Sequence, residues 1–311
     1  MPAVQASDAQ VKHRIFFTPS GRRKSAPFDL KGASRLLGIV DVGGGLRDAF
    51  GAGVFDYCLE KGIAFPYCIG VSAGSANISS YLAGQKGRNV AFYAVYPQRK
   101  EYMSARNLLL RGSYIDLEYV YGTLSNSGGE DPLDFPAILK NPARFRIVAT
   151  DAETGKPVYF DKTDMRQDAY EAVKASSCLP GICKPWLIDG KPYYDGGISD
   201  PIPFARALDD GCDRVVIILT RPRDYRRVQG KDRYFAHLVR RYPASAAALL
   251  KRWEVYNREL EEALALEKAS RALILAPDDV SGIGTLSRDP QPIKALYEKG
   301  IKAGELLNGF I

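Results

Sequence analysis

Gly70-Val71-Ser72-Ala73-Gly74 is the segment that most restricts how this chain can fold. It follows a short apolar run, Phe65 to Val71, of the kind buried in a parallel sheet. It opens a stretch rich in small residues, Ala73 to Ala83, that reads as a helix. A serine at the apex of so tight a strand-to-helix turn is held out beyond the end of its strand. Glycine suits the flanking positions because a side chain at either one would crowd the turn. The helix then aims its free N–H groups and positive end at Ser72, which favours an alkoxide-like nucleophile and an oxyanion beside it.

One short motif recurs by chance, and an ordered set is more restrictive. Gly43-Gly44-Gly45 follows the apolar run Leu36 to Val42, and Asp195-Gly196-Gly197 follows Lys191-Pro192-Tyr193-Tyr194. Each supplies something that acyl transfer from an ester needs. The negative oxygen of a tetrahedral intermediate needs fixed donors, and Gly43, Gly44, Gly45 and Leu46 can form a backbone nest, joined by the Ala73 amide. Ser72 needs a base within hydrogen-bond reach, and Asp195 in its glycine-rich loop can be that base directly. Only two histidines exist, His13 and His237. The order Ser72, Asp195, His237 also satisfies a Ser-Asp-His triad. His237, however, sits in Asp232 to Tyr242, a basic amphipathic helix pattern, whereas triad histidines follow a strand on a loop. The dyad is the preferred reading and the triad the alternative.

These three motifs, G-G-G-x-R, G-x-S-x-G and D-G-G in that order, resemble the patatin-like phospholipases, from about Leu36 to about Thr220. Val148-Ala149-Thr150-Asp151 with Glu153-Thr154-Gly155, Ala175 to Pro180, and Asp195 to Pro203 are similar to a bacterial branch of that family. The resemblance implies a three-layer α/β/α fold with a mainly parallel central sheet. It implies Ser72 as nucleophile, Asp195 as base, and Gly43 to Leu46 as the oxyanion loop. One departure is Asp48, which stands where many members carry glycine; Asp48 is expected to cap a helix starting near Ala49. Arg47 either orients a substrate phosphate or ester or braces the glycine loop.

The net charge of +7 is concentrated. Arg221 to Arg252 carries ten Lys/Arg and two Asp/Glu, so the remainder is close to neutral. That segment is either a solvated helical face or an attraction for anionic lipid headgroups. Nucleic acid is not expected, since no recognition motif accompanies the charge. Five cysteines without C-x-x-C spacing read as small buried residues in a reducing compartment. No metal or organic cofactor is implied. No window has the apolar length of a membrane span, and the N-terminus lacks the pattern of a secretory signal. The expected location is cytoplasmic, with contact at the inner membrane surface as an option.

Residues 1–33 read as a polar arm, 34–220 as the catalytic domain, and 221–311 as a mostly helical extension packed on it. Expected strands are 36–42, 65–71, 145–150, 158–160, 214–220 and 272–277. Expected helices are 49–60, 73–83, 166–175 and 203–209, a long pattern over 234–270, and a closing helix over 292–307. Alternation of this kind specifies an α/β layered fold with catalytic loops at the carboxyl ends of its strands. The irregular stretch 98–126 is either a lid or acyl-chain wall, or a set of helices capping the sheet. Asp151 is expected to satisfy turn amides, and Asp200 to cap the helix after Pro201. The function these residues predict is a serine acyl hydrolase of lipid or other carboxylic esters. The alternatives are a Ser-Asp-His esterase and a non-catalytic module on a membrane surface.

Overall fold

The computed structural model describes residues 36–280 and 282–311, which fall in one compact unit. The polar arm and His13 lie outside the described residues. Eight strands form one sheet: β1 Leu37–Asp41, β2 Tyr67–Val71, β3 Arg144–Asp151, β4 Pro157–Asp161, β5 Trp186–Ile188, β6 Lys191–Asp195, β7 Arg214–Ile218 and β8 Ala272–Leu275. Their order is β5-β6-β3-β2-β1-β7-β8, with β4 paired to β3. The pairs β3-β2, β2-β1, β1-β7 and β7-β8 are parallel, while β4, β5 and β6 join antiparallel.

The helices are α1 Ala49–Lys61, α2 Ala73–Leu82, α3 Arg88–Ala94, α4 Ala105–Arg111, α5 Phe135–Lys140, α6 Glu171–Ser176, α7 Phe204–Asp209, α8 Asp232–Leu238, α9 Pro243–Lys268 and α10 Pro290–Gly304. Alternate strand residues feed opposite faces, as the two-residue repeat of a strand requires. Ile39, Cys68 and Val216 pack with α1, α2 and α10, whereas Val40, Ile69 and Val215 pack with α7 and α9. Both faces are therefore covered, which explains why the central strands read as apolar runs.

The C-terminal segment is integral to this architecture. β8 extends the sheet beside β7. α10 meets α1 backbone to backbone, so a Cβ at Gly300 would overlap the Phe50 carbonyl and one at Gly53 the Tyr297 carbonyl. No described helix is long and apolar enough to cross a membrane. All five cysteines are free and buried, as expected.

Several local expectations need correction. The helix expected from Arg166 begins only at Glu171. Asp168 takes a left-handed backbone, φ 60°, and its carboxylate instead accepts from the Ser127 amide and hydroxyl, each at 2.6 Å. The pattern over 234–270 is two helices, α8 and α9, with Pro243 in the first turn of the second. β5 and β6 were not among the expected strands. Asp200 caps nothing; its carboxylate accepts the Tyr159 hydroxyl at 2.6 Å, and α7 starts at Phe204. Asp151 does bind turn amides, those of Glu153 and Thr154 at 2.9 and 2.8 Å.

Candidate active site

Sheet register assembles the site. Asp41 stands opposite Gly70 and Val71 opposite Val148, so the glycine loop after β1 and the turn after β2 emerge side by side. β6 runs against β3 and places Asp195 opposite Ala149, one residue past the partner of Val71. Two residues distant in sequence, Ser72 and Asp195, thus meet at the carboxyl end of the parallel strands.

Ser72 has φ 55° and ψ −128°, a strained conformation for a residue with a side chain. The turn is clamped on three sides. The Ser72 amide donates to Ser176 Oγ at 2.8 Å, Ser176 Oγ donates to the Val148 carbonyl at 2.6 Å, and Ser75 Oγ donates to the Ser72 carbonyl at 2.6 Å. A Cβ at Gly70 would press on the Ser75 backbone and one at Gly74 on Asp41, which is the crowding the motif avoids.

Asp195 is almost wholly buried, and its Oδ1 accepts the Gly197 amide at 2.8 Å. Its Oδ2 is buried and has no other bond from a described residue. Burial raises the pKa of this carboxyl; the Arg252 charge, the Ser72 hydroxyl and the Gly197 amide pull it back. The Ser72 hydroxyl is therefore close enough to act on Asp195 without being locked to it, a common state before substrate binds. His237 is exposed on α8, lines neither chamber of the site, and is not among the main influences on Asp195.

The glycine loop has its own supports. The Gly43 amide donates to Asp41 Oδ1 at 3.1 Å, and the Gly43 carbonyl accepts from Thr220 Oγ1 at 2.5 Å. Gly44, at φ 146°, takes a backbone shape open to glycine, and a Cβ there would overlap Thr220 Oγ1. The Leu46 amide donates to the Thr285 carbonyl at 3.0 Å. Of the five amides expected to serve an oxyanion, those of Gly43 and Leu46 are thus engaged, while those of Gly44, Gly45 and Ala73 bond to no described residue. Arg47 donates to Thr285 Oγ1 at 3.0 Å, and its guanidinium lies against Gly44.

Asp48 is not a side-chain cap. Its carboxyl is fully buried beside that of Asp41, and the two surround Gly51 with Asn77. Asn77 Nδ2 donates to Asp41 Oδ2 at 3.2 Å and to the Asp48 carbonyl at 3.1 Å. Burial and the Asp41 charge push Asp48 well above the usual carboxylate range. This pair stands behind the Gly43 amide.

Two connected chambers open at Ser72. One, of about 660 Å³ including its open mouth, is lined by Phe92, Tyr102, Met103, Leu117 and Val120 among others. Residues of the stretch 98–126 thus wall the candidate site. The other, about 1340 Å³ including its open mouth, is lined by Asp195, Arg47 and a group from the C-terminal segment: Arg221, Tyr225, Arg227, Arg252 and Thr285. That group was not legible as site residues. The basic run gave the only signal for the arginines, Ser176 stands in the Ala175 to Pro180 segment that resembles the family, and nothing marked Thr285.

The sequence profile of the patatin-like phospholipase family matches residues 42–208, just over half of the chain, and the chain belongs to that family. A second profile, a domain of unknown function (DUF6363), matches residues 242–306. The uncharacterized protein YjjU of Escherichia coli (strain K12) is 29% identical over 191 residues, 60% of this chain and 52% of YjjU. The uncharacterized NTE family protein Mb1092c of Mycobacterium bovis is 37% identical over 82 residues, 26% of this chain and 22% of its own. The chain therefore spans about half or less of the length of these relatives. The crystal structure of VipD from Legionella pneumophila aligns with 89% of this chain and 68% of its own at 14% identity, with a TM-score of 0.48.

Proposed function

We propose that this chain hydrolyses carboxylic esters of lipids through a Ser72–Asp195 dyad. Family membership makes the lipid ester the expected substrate. One observation carries the mechanism: a strained serine beside a buried carboxylate that has a free oxygen, with three unengaged amides next to it. Ser72 Oγ forms a bond to the ester carbon as Asp195 takes its proton. The amides of Gly44, Gly45 and Ala73 hold the oxyanion. The ester C–O bond breaks, the alkoxide leaves with the proton from Asp195, and an acyl-Ser72 remains. Water, deprotonated by Asp195, then releases the acid and restores both groups. The raised pKa of Asp195 brings it nearer to the operating pH expected of a base.

We extend the proposal to peripheral contact with anionic lipid surfaces through the exposed Arg233, Arg240 and Arg241. Arg223 and Arg226 are drawn instead to Glu267 and Glu261.

The reading is tested by turnover of a short chromogenic ester. The native chain should show turnover, and Ser72→Ala, with an unchanged circular dichroism spectrum, should fall to background. Full turnover in the variant removes Ser72 from the reaction.

A further inference from the structure

Ser72 lies where the two chambers meet, and their linings differ in kind. The smaller is walled mostly by aromatic and aliphatic side chains. The larger gathers Arg47, Arg221, Arg227, Lys231 and Arg252 against two carboxylates, Asp195 and Asp232. Arg227 already engages Asp232, with Nη2 3.0 Å from each carboxylate oxygen. Arg221, Lys231 and Arg252 make no ion pair with a described residue.

The cations are also poorly satisfied by hydrogen bonds. Arg252 Nε is buried without an acceptor among the described residues, and its guanidinium packs on Gly197, where a Cβ would come within 3.0 Å of Nη2. Arg47 Nε is buried without an acceptor as well. Burial and neighbouring arginines lower both to about 10, so each is still charged at neutral pH. Unpaired buried charge is costly unless an anion joins it. Arg252 and Arg227 also help keep Asp195 ionised, but that role does not account for Arg221 and Lys231, which are not among the main influences on Asp195.

We infer that the cationic chamber binds a negatively charged group on the alcohol side of the ester, with the acyl chain in the apolar chamber. Convergent guanidiniums match a phosphate in shape and charge. Asp232 is taken by Arg227 and Asp195 faces Ser72, so five cations outweigh the two carboxylates and the chamber selects anionic over zwitterionic acyl esters. The inference rests on the ester-hydrolase reading for the place of the acyl chain, and adds the charge of the leaving group.

The test uses full-length protein carrying Ser72→Ala, so that binding is read without turnover. Calorimetry compares monomeric short-chain phosphatidylglycerol, phosphatidylcholine of the same chains, and inorganic phosphate. The anionic lipid should bind about tenfold more tightly than the zwitterionic one, the scale of one charge-assisted hydrogen bond. Adding Arg221→Gln with Arg252→Gln should bring the two lipids level. Lys294→Gln with Lys302→Gln, which removes two exposed charges from α10, should keep the preference. If the double arginine variant fails to fold, Arg221→Gln alone carries the comparison, since Arg221 forms no hydrogen bond or ion pair with a described residue. Equal affinity for the two lipids overturns the inference. Phosphate binding as tightly as the anionic lipid overturns the acyl-ester assignment in favour of a free-anion site. A native chain that hydrolyses no ester, while Ser72→Ala keeps the anionic preference, refutes the hydrolase reading and leaves the subsite standing.

Discussion

Asp195 sits in surroundings that oppose its own ionisation, and the groups that relieve this are the ones a base needs beside it. Burial raises its pKa; Arg252, Ser72 and the Gly197 amide lower it. Asp195→Asn keeps the shape and removes the proton acceptor. It should cut ester turnover about a thousandfold, the scale of a lost general base. His237→Ala should change turnover little, because His237 is exposed and outside both chambers. Steady-state kinetics on both variants decides between dyad and triad: equal losses, with both folds intact, would establish the triad. Ser72 and Asp195 were legible as candidates because each stands among glycines in a short motif. Arg252 and Thr285 were not. Arg252 packs on Gly197, 55 residues before it, and Thr285 bonds Arg47 across an interval of 238, and no local pattern encodes either contact.

At the scale of elements, the turn between β1 and α1 is built on the Asp41–Asp48 carboxyl pair. Both side chains are fully buried, and burial raises both pKa values, Asp41 to about 6. A carboxyl whose pKa is raised on folding favours the folded state below its unfolded value, near 3.8. That contribution is lost as pH rises through the folded value. Asp48→Asn keeps the shape of the side chain and removes the second acid. The melting temperature of Asp48→Asn relative to the native chain should therefore rise as pH goes from about 4 to above 6. A difference that does not change with pH over that window would mean that the two carboxyls share no proton. The elements themselves were legible in proportion to their burial. β1, β2, β3, β7 and β8 are covered on both faces and read as apolar runs within a few residues of their observed ends. β5 has three residues and β6 contains Pro192, so neither carries enough alternation to stand out. The helix expected from Arg166 failed because Asp168 binds Ser127 rather than continuing a turn, a tertiary choice that propensity does not record.

For the molecule as a whole, the segment read as an extension lines the candidate site. β8 completes one side of the sheet, α10 locks onto α1, Thr285 closes the glycine loop, and α9 brings Arg252 to Asp195. The basic character of 221–252 is thus divided between paired arginines, a cationic chamber and an exposed remainder. The central claim is that this assembly activates one serine among many. Labelling of the native full-length chain with a fluorophosphonate, followed by intact mass measurement and peptide mapping, tests it most directly. The account predicts a single adduct, on Ser72, that is strongly slowed by Asp195→Asn. An adduct on another residue, or ester turnover with Ser72 left unlabelled at full inhibition, would contradict it.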